Sequence, residues 1–211
     1  RYAFENTGAL GTDTSPAAGY TGTVSGSTAV ADGTRGNVIS MAGAGYVQTA
    51  GHYGNPANVT LAAWFNLTAR DTSAAEVISL GDAINLRVDD INDGLAAYIY
   101  NGSAWTRINF NTTLAGTGWH HAAISFSDTG NLATLYLDGV SVASATVASS
   151  ISYTLGANSF IGKHGTGSAN YDFNGRIDDA RVYNRALSAS EIAALANDIP
   201  LTDTDSVAIT V

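Results

Sequence analysis

Apolar and polar residues alternate with a period of two along most of this chain, a pattern that predicts strands. Residues 59–67 are strongly β-forming, with Leu61, Ala63 and Phe65 alternating against Ala62, Trp64 and Asn66. Meander strands follow at 76–80, 83–88, 95–100 and 105–110. Further strands are expected at 119–127, 132–137, 140–147, 159–162 and 172–184. Residues 1–5 read as a short first strand. Residues 38–41 and 46–49 read as two strands joined by a tight hairpin at Gly43-Ala44-Gly45. Turns fall at Asn92-Asp93-Gly94, Asn101-Gly102, Asp128-Thr129-Gly130-Asn131 and Asp138-Gly139. Such signals recur roughly every 8–12 residues, the spacing of a sandwich or barrel. Ser188-x-x-Glu191 is a capping box and starts one short C-terminal helix, through about residue 196. The expectation is an all-β, two-sheet antiparallel sandwich spanning residues 1–197. Residues 198–211 differ, reading as a linker and then a strand at 207–211. That strand either opens a following module or packs back as an edge strand.

Composition narrows the function classes. The 211 residues suit one large β domain with a sizeable core: 45% are hydrophobic and only 13% charged. The net charge of −9 argues against nucleic acid and anionic membranes, which require a basic footprint. It is compatible with cations and neutral sugars. There is no cysteine, so disulfides and thiolate metal sites are excluded. No apolar run reaches the length of a membrane helix. The start at Arg1, without Met or leader, reads as a segment excised from a longer chain.

The densest information lies in Gly175-Arg176-Ile177-Asp178-Asp179-Ala180-Arg181-Val182-Tyr183. Carboxylates inside a strand need a reason, either a cation or ion pairs with Arg176 or Arg181. Together with Tyr2-Ala3-Phe4-Glu5, Gly45-Tyr46-Val47, Leu61-Ala62-Ala63-Trp64-Phe65, Trp119-His120-His121-Ala122 and Leu135-Tyr136-Leu137-Asp138-Gly139, this string resembles the laminin G-like, concanavalin A-like jelly roll over residues 1–197. The resemblance implies an extracellular, calcium-dependent carbohydrate-binding (lectin-like) module. It implies a monomeric unit of a modular bacterial surface adhesin that attaches to cell-surface or extracellular polysaccharides.

The resemblance also implies sites. A structural calcium would join Glu5 in the first strand to Asp178 in the last. Gly81-Asp82-Ala83-Ile84-Asn85 resembles the pentraxin position where an aspartate begins a calcium site. The loop 161–172 resembles the one that supplies the other ligands, although the pentraxin acid cluster is missing. Asp82, Asn170 and Asp172 are thus expected to hold a rim Ca2+ whose open positions take vicinal sugar hydroxyls. Asn85 is placed in the same site, and His164 or Tyr171 stacks on the sugar face. The alternative is a glycine-rich loop without a ligand. Tyr98, Tyr100 and Trp105 form either an aromatic sugar platform or ordinary cross-strand packing.

Catalysis has little support. Glycosidases need two carboxylates facing one cleft. The one i, i+2 acid pair is Asp203 and Asp205 in the tail, while Glu191 is engaged in the cap and Glu76 has no partner acid in sequence. His120 and His121 are adjacent on a strand and face opposite sides, so they do not make a metal pair. The reading is a non-catalytic module. The rivals are a structural or protein-binding module with only a structural calcium, and a glycoside hydrolase on the same fold.

Overall fold

The computed structural model describes residues 1–16, 18–89 and 94–197. The expected boundary at 197, the linker and tail strand, and the Asn92-Asp93 part of one turn lie outside the described residues. Alternation resolves into strands β1 (Thr23–Asp32), β2 (Gly36–Ala50), β3 (Val59–Ala69), β4 (Ala74–Leu80), β5 (Ile84–Asp89) and β6 (Leu95–Tyr100). They are followed by β7 (Trp105–Phe110), β8 (His120–Ser127), β9 (Leu132–Leu137), β10 (Val140–Thr146), β11 (Asn158–Ile161) and β12 (Asn174–Tyr183). The helix α1 (Ala189–Ala196) comes last. Ser188 Oγ accepts from the Glu191 amide, and the Glu191 carboxylate accepts from the Ser188 amide, so the predicted capping box is formed.

Hydrogen bonding runs without a break in the order β10-β9-β8-β3-β12-β2-β11-β4-β5-β6-β7. The path folds over into two layers because β2 belongs to both. Its first half pairs with β12 through Ile39–Ala42, and its second half pairs with β11 through Val47–Ala50. Gly43, at φ 80°, sits between the two halves. Gly43-Ala44-Gly45 is therefore a bend within one strand, and the expected hairpin there is corrected. β1, which was not anticipated, runs antiparallel along β2. The expected first strand at 1–5 shrinks to a single bridge between Tyr2 and Ala180.

The layers enclose one apolar core, in which Leu61, Ala63 and Phe65 of β3 meet Leu80, Leu86 and Ile99 from the opposite sheet. The other face of β3 and β8 carries Ala62 and Ala123, which α1 covers with Ile192. The expected two-sheet jelly-roll sandwich with a single helix is what forms.

The paired aspartates of β12 occupy a β-bulge. Asp179 adopts φ 48°, and the register with β3 shifts between Asp178 and Arg181. Aspartate tolerates this left-handed conformation better than most residues. Asp179 accepts from Arg181 Nε at 2.8 Å and from Arg1 Nε at 2.6 Å. The Arg181 pairing matches one of the sequence alternatives, although the pair is buried. Asp178 accepts from Arg35 Nε at 2.8 Å, and that guanidinium lies 4.1 Å from the Trp64 ring.

Candidate functional site

The outward face of the β4–β7 sheet is built by every second residue. On β5 these are Asn85, Arg87 and Asp89, between Ile84, Leu86 and Val88 of the core. Cross-strand pairing sets Tyr98 opposite Asn85 and Arg107 opposite Tyr98. Trp105 pairs with Tyr100, their rings 4.9 Å apart. Asp89 ties this face together, accepting from Tyr98 Oη and from Arg107 Nε, both at 2.8 Å. Arg87 lies flat on Tyr98, 3.9 Å from the ring centre, with the Tyr171 ring 5.3 Å away on the loop.

Residues 162–172 fold back over this face. Their placement depends on bare backbone. A Cβ on Gly165 would lie 1.5 Å from the Gly81 carbonyl oxygen, and one on Gly162 2.1 Å from Met41 Sδ. Ser79 Oγ donates to the Lys163 carbonyl at 3.0 Å, and the Ser73 amide donates to the Asn170 carbonyl at 3.0 Å. The glycine-rich segment is therefore anchored along its length. It delivers His164 and Tyr171, rings 4.4 Å apart, to the edge of the sheet. His164 Nδ1 accepts from the Thr166 amide at 3.3 Å, which places the imidazole proton on Nε2. Nε2 then donates to Asp82 Oδ1 at 3.1 Å.

The result is a pocket of about 280 Å3 lined by Asp82, Asn85, Arg87, Tyr98, Trp105, His164 and Tyr171. Trp105 is 42% exposed, unusual for a large aromatic on a strand. Asp82 offers acceptors, Arg87 donors, and Asn85 an amide, all beside aromatic faces. Hydroxyl groups both donate and accept, and sugar rings carry apolar C–H faces, so this wall is chemically matched to a saccharide.

Four expected ligand-site residues, Asp82, Asn85, His164 and Tyr171, come together here beside Tyr98 and Trp105, the latter also packed across the strands on Tyr100. Arg87 is the residue the sequence reading did not foresee. Asn170 and Asp172 do not join them. Asn170 is exposed and does not line this pocket, whereas Asp172 faces a neighbouring one with Arg70, Asp71 and Asn174. Asp172 Oδ1 is 2.7 Å from Lys163 Nζ. The expected rim set of Asp82, Asn170 and Asp172 is therefore not gathered in one pocket: His164 Nε2 lies against Asp82 and Lys163 Nζ against Asp172. Asp178 Oδ2 accepts from Arg35 and Glu5 Oε2 from the Asn37 amide at 3.2 Å, while Asp178 Oδ1 and Glu5 Oε1 are buried with no hydrogen-bond partner among the described residues. Calcium takes six to eight oxygens. Among the described residues, no three His, Asp or Glu side chains form a group able to hold a metal.

Known proteins share this architecture. Domain 4 of AbnA, an extracellular GH43 arabinanase from Geobacillus stearothermophilus solved with arabinotriose, superposes with a TM-score of 0.73 at 19% identity, covering 92% of this chain and 96% of that one. The CBM40 module of a Ruminococcus gnavus sialidase, bound to α2,3-sialyllactose, gives 0.59 at 17% identity over 67% of this chain and 83% of that one. The binding domain of Paraclostridial mosquitocidal protein 1 gives 0.64 at 15% identity and covers 84% of this chain. This chain spans only 47% of that domain. At these identities the likeness is one of fold. No curated protein matches the sequence. A family model does match, over residues 41–193, and the chain belongs to the laminin G type 3 group of the concanavalin A-like lectin/glucanases superfamily.

Proposed function

We propose that this chain is a non-catalytic glycan-binding module acting outside the cell, within a larger surface or secreted protein. It binds a neutral saccharide in the pocket between β5–β7 and the 162–172 loop, without a metal ion. The observation that carries this reading is the exposed Trp105 next to converging donors and acceptors on Asp82, Asn85 and Arg87. Trp105 and Tyr171 stack on the sugar's C–H faces, and the Arg87–Asp82 pair bridges hydroxyls. The arabinotriose complex among the fold neighbours supports a neutral ligand, and the sialyllactose complex supports saccharide binding on this fold more broadly. Hydrolysis needs a second acid facing Asp82 across the pocket. Glu76 shares the pocket's face of the sheet, opposite Arg87 on β5, but it is fully buried there, with Arg87 Nη1 4.0 Å away.

The test is calorimetry on the 211-residue chain against arabinan, xylan, galactan and β-glucan oligosaccharides, with and without EDTA. Binding to at least one of them is expected, unchanged by EDTA. Trp105→Ala should weaken it by about tenfold or more, roughly 1.4 kcal/mol, without lowering the melting temperature. Binding that survives Trp105→Ala intact overturns the site. Loss of binding in EDTA overturns the metal-free mode, and release of reducing sugar overturns the non-catalytic reading.

A further inference from the structure

We infer that the domain carries a second saccharide site, in the cavity bounded by the N-terminal segment, the β2–β3 loop and the end of β12. This cavity, about 380 Å3, is larger than the first and shares no residue with it. Tyr2, Tyr20, Tyr53, Pro56, Tyr183 and Asn184 form most of its wall. It is a built feature. Asp13, only 7% exposed, accepts from the amides of Ser15 at 3.0 Å and of Gly19 and Tyr20 at 3.1 Å. One carboxylate thus closes the loop and sets Tyr20 at the cavity mouth. Tyr2 Oη donates to the Tyr20 carbonyl and lies 3.0 Å from Thr49 Oγ1, which is 3.1 Å from Tyr53 Oη. These contacts fix the phenol ends of Tyr2 and Tyr53.

Tyr20 is 41% exposed and belongs to neither hydrophobic cluster, yet it rests on Tyr53 with ring centres 4.8 Å apart. An ordered, half-exposed aromatic pair beside a cavity, with the Asn184 amide and the Tyr183 hydroxyl at its edge, suits a ring with one apolar face and hydroxyl edges. Arg1 also lines the wall, its terminal ammonium 3.2 Å from the Asp13 carboxylate, so the charges there offset each other and the aromatic and hydroxyl groups set the ligand class. The ligand class is that of the proposal above, but the residues are different. The 152–156 segment braces both pockets: the Leu155 carbonyl accepts from the Asp82 amide and Tyr153 Oη donates to the Pro56 carbonyl, each at 2.8 Å. Two sites on one rigid module raise avidity for a polymer above that for a short oligosaccharide, provided a single chain reaches both.

The experiment follows backbone amide shifts of the 15N-labelled chain during millimolar titration with arabinotriose, xylotriose, galactotriose and cellotriose. It uses the wild type, Trp105→Ala and Tyr20→Ala. In Trp105→Ala, at least one trisaccharide should still shift the amides of Tyr20, Tyr53 and Asn184 saturably. Tyr20→Ala should weaken that response about tenfold or more and leave the Trp105 response intact. If Tyr20→Ala disturbs the fold, Asn184→Ala replaces it, with the same expected outcome. Absence of saturable shifts at these amides for all four sugars overturns the second site, as does a response unaffected by the cavity variant. Shifts at Tyr20 without any at Trp105 overturn the first site alone.

Discussion

Glu76 stands opposite Arg87 on the outward face of the β4–β7 sheet, fully buried, with neither carboxylate oxygen hydrogen-bonded and Arg87 Nη1 4.0 Å away. Burial raises its pKa well above the usual carboxylate range; Asp82 and Asp89 add to this, and Arg87 opposes it. The folded protein therefore holds a proton that the unfolded chain releases from about pH 4.5 upward. A folded pKa above the unfolded one gives stability that is present at low pH and lost as pH rises toward the folded value. Glu76→Gln removes that loss. The variant is expected to match the wild type near pH 4.5 and to exceed it by about 1–3 kcal/mol at pH 8, measured by urea denaturation. Parallel pH profiles would contradict a protonated Glu76. His121 carries the opposite sign. Burial lowers its pKa to about 4 from 6.5, so it destabilises the fold as pH falls from 6.5 toward 4. Its ring meets Trp64 edge-on, with ring centres 5.5 Å apart.

At the scale of elements, the 162–172 loop decides whether the pocket exists. Gly165→Ala forces a Cβ into the Gly81 carbonyl and pushes the loop away from Asp82, whereas a Cβ on Gly167 meets nothing within 4 Å. Gly167 does hold φ +80°, so Gly167→Ala is expected to cost only about 1 kcal/mol of stability. Gly165→Ala should lower stability by about 1–3 kcal/mol and weaken saccharide binding at the Trp105 pocket about tenfold. Equal effects of the two variants on binding would remove the loop from the site. The helix and its cap were legible because they depend on neighbours in sequence, as were the turns at Asn101-Gly102 and Asp138-Gly139. The bend of β2 was not, because a glycine at positive φ looks alike in a hairpin and in a strand shared by two layers. Asp82, Asn85, His164 and Tyr171 were placed by the resemblance of their two segments to a known rim site. Arg87 was visible only as part of the alternation Asn85-Leu86-Arg87-Val88-Asp89, which marks an outward polar face without showing what covers it. Asp172 was misplaced because a short 3-10 turn at Ala169–Tyr171 separates the direction of Tyr171 from that of its neighbour, and no local pattern encodes that.

Across the whole molecule, charge is balanced from within the chain. Among the described residues, Arg1, Arg35, Arg87, Arg107, Lys163, Arg176, Arg181 and Arg185 each have a carboxylate within 4.0 Å. Three of these pairs join the chain's early segments to β12: Arg1–Asp179 at 2.6 Å, Arg35–Asp178 at 2.8 Å and Asp32–Arg176 at 2.9 Å. Guanidinium groups thus stand where a calcium ion was expected to tie the first strand to the last. The two arrangements differ in a measurable way. An ion that binds only the folded state, present at a hundred times its Kd, adds about 2.7 kcal/mol. For a domain of this size that corresponds to a rise of roughly 5–10 °C in melting temperature. If the internal pairs alone tie the ends together, melting curves in millimolar calcium and in EDTA should coincide within about 1 °C. Arg35→Met provides the complementary measurement, because it leaves Asp178 buried without its cation. It should lower stability by about 3–5 kcal/mol at pH 8, and by less at pH 5, where the carboxyl, whose pKa burial pushes up to about 7 even beside Arg35, takes a proton. A calcium-dependent rise in the wild type that Asp178→Asn abolishes would return the metal to this site and remove the guanidinium clamp as the link between the ends of the sandwich.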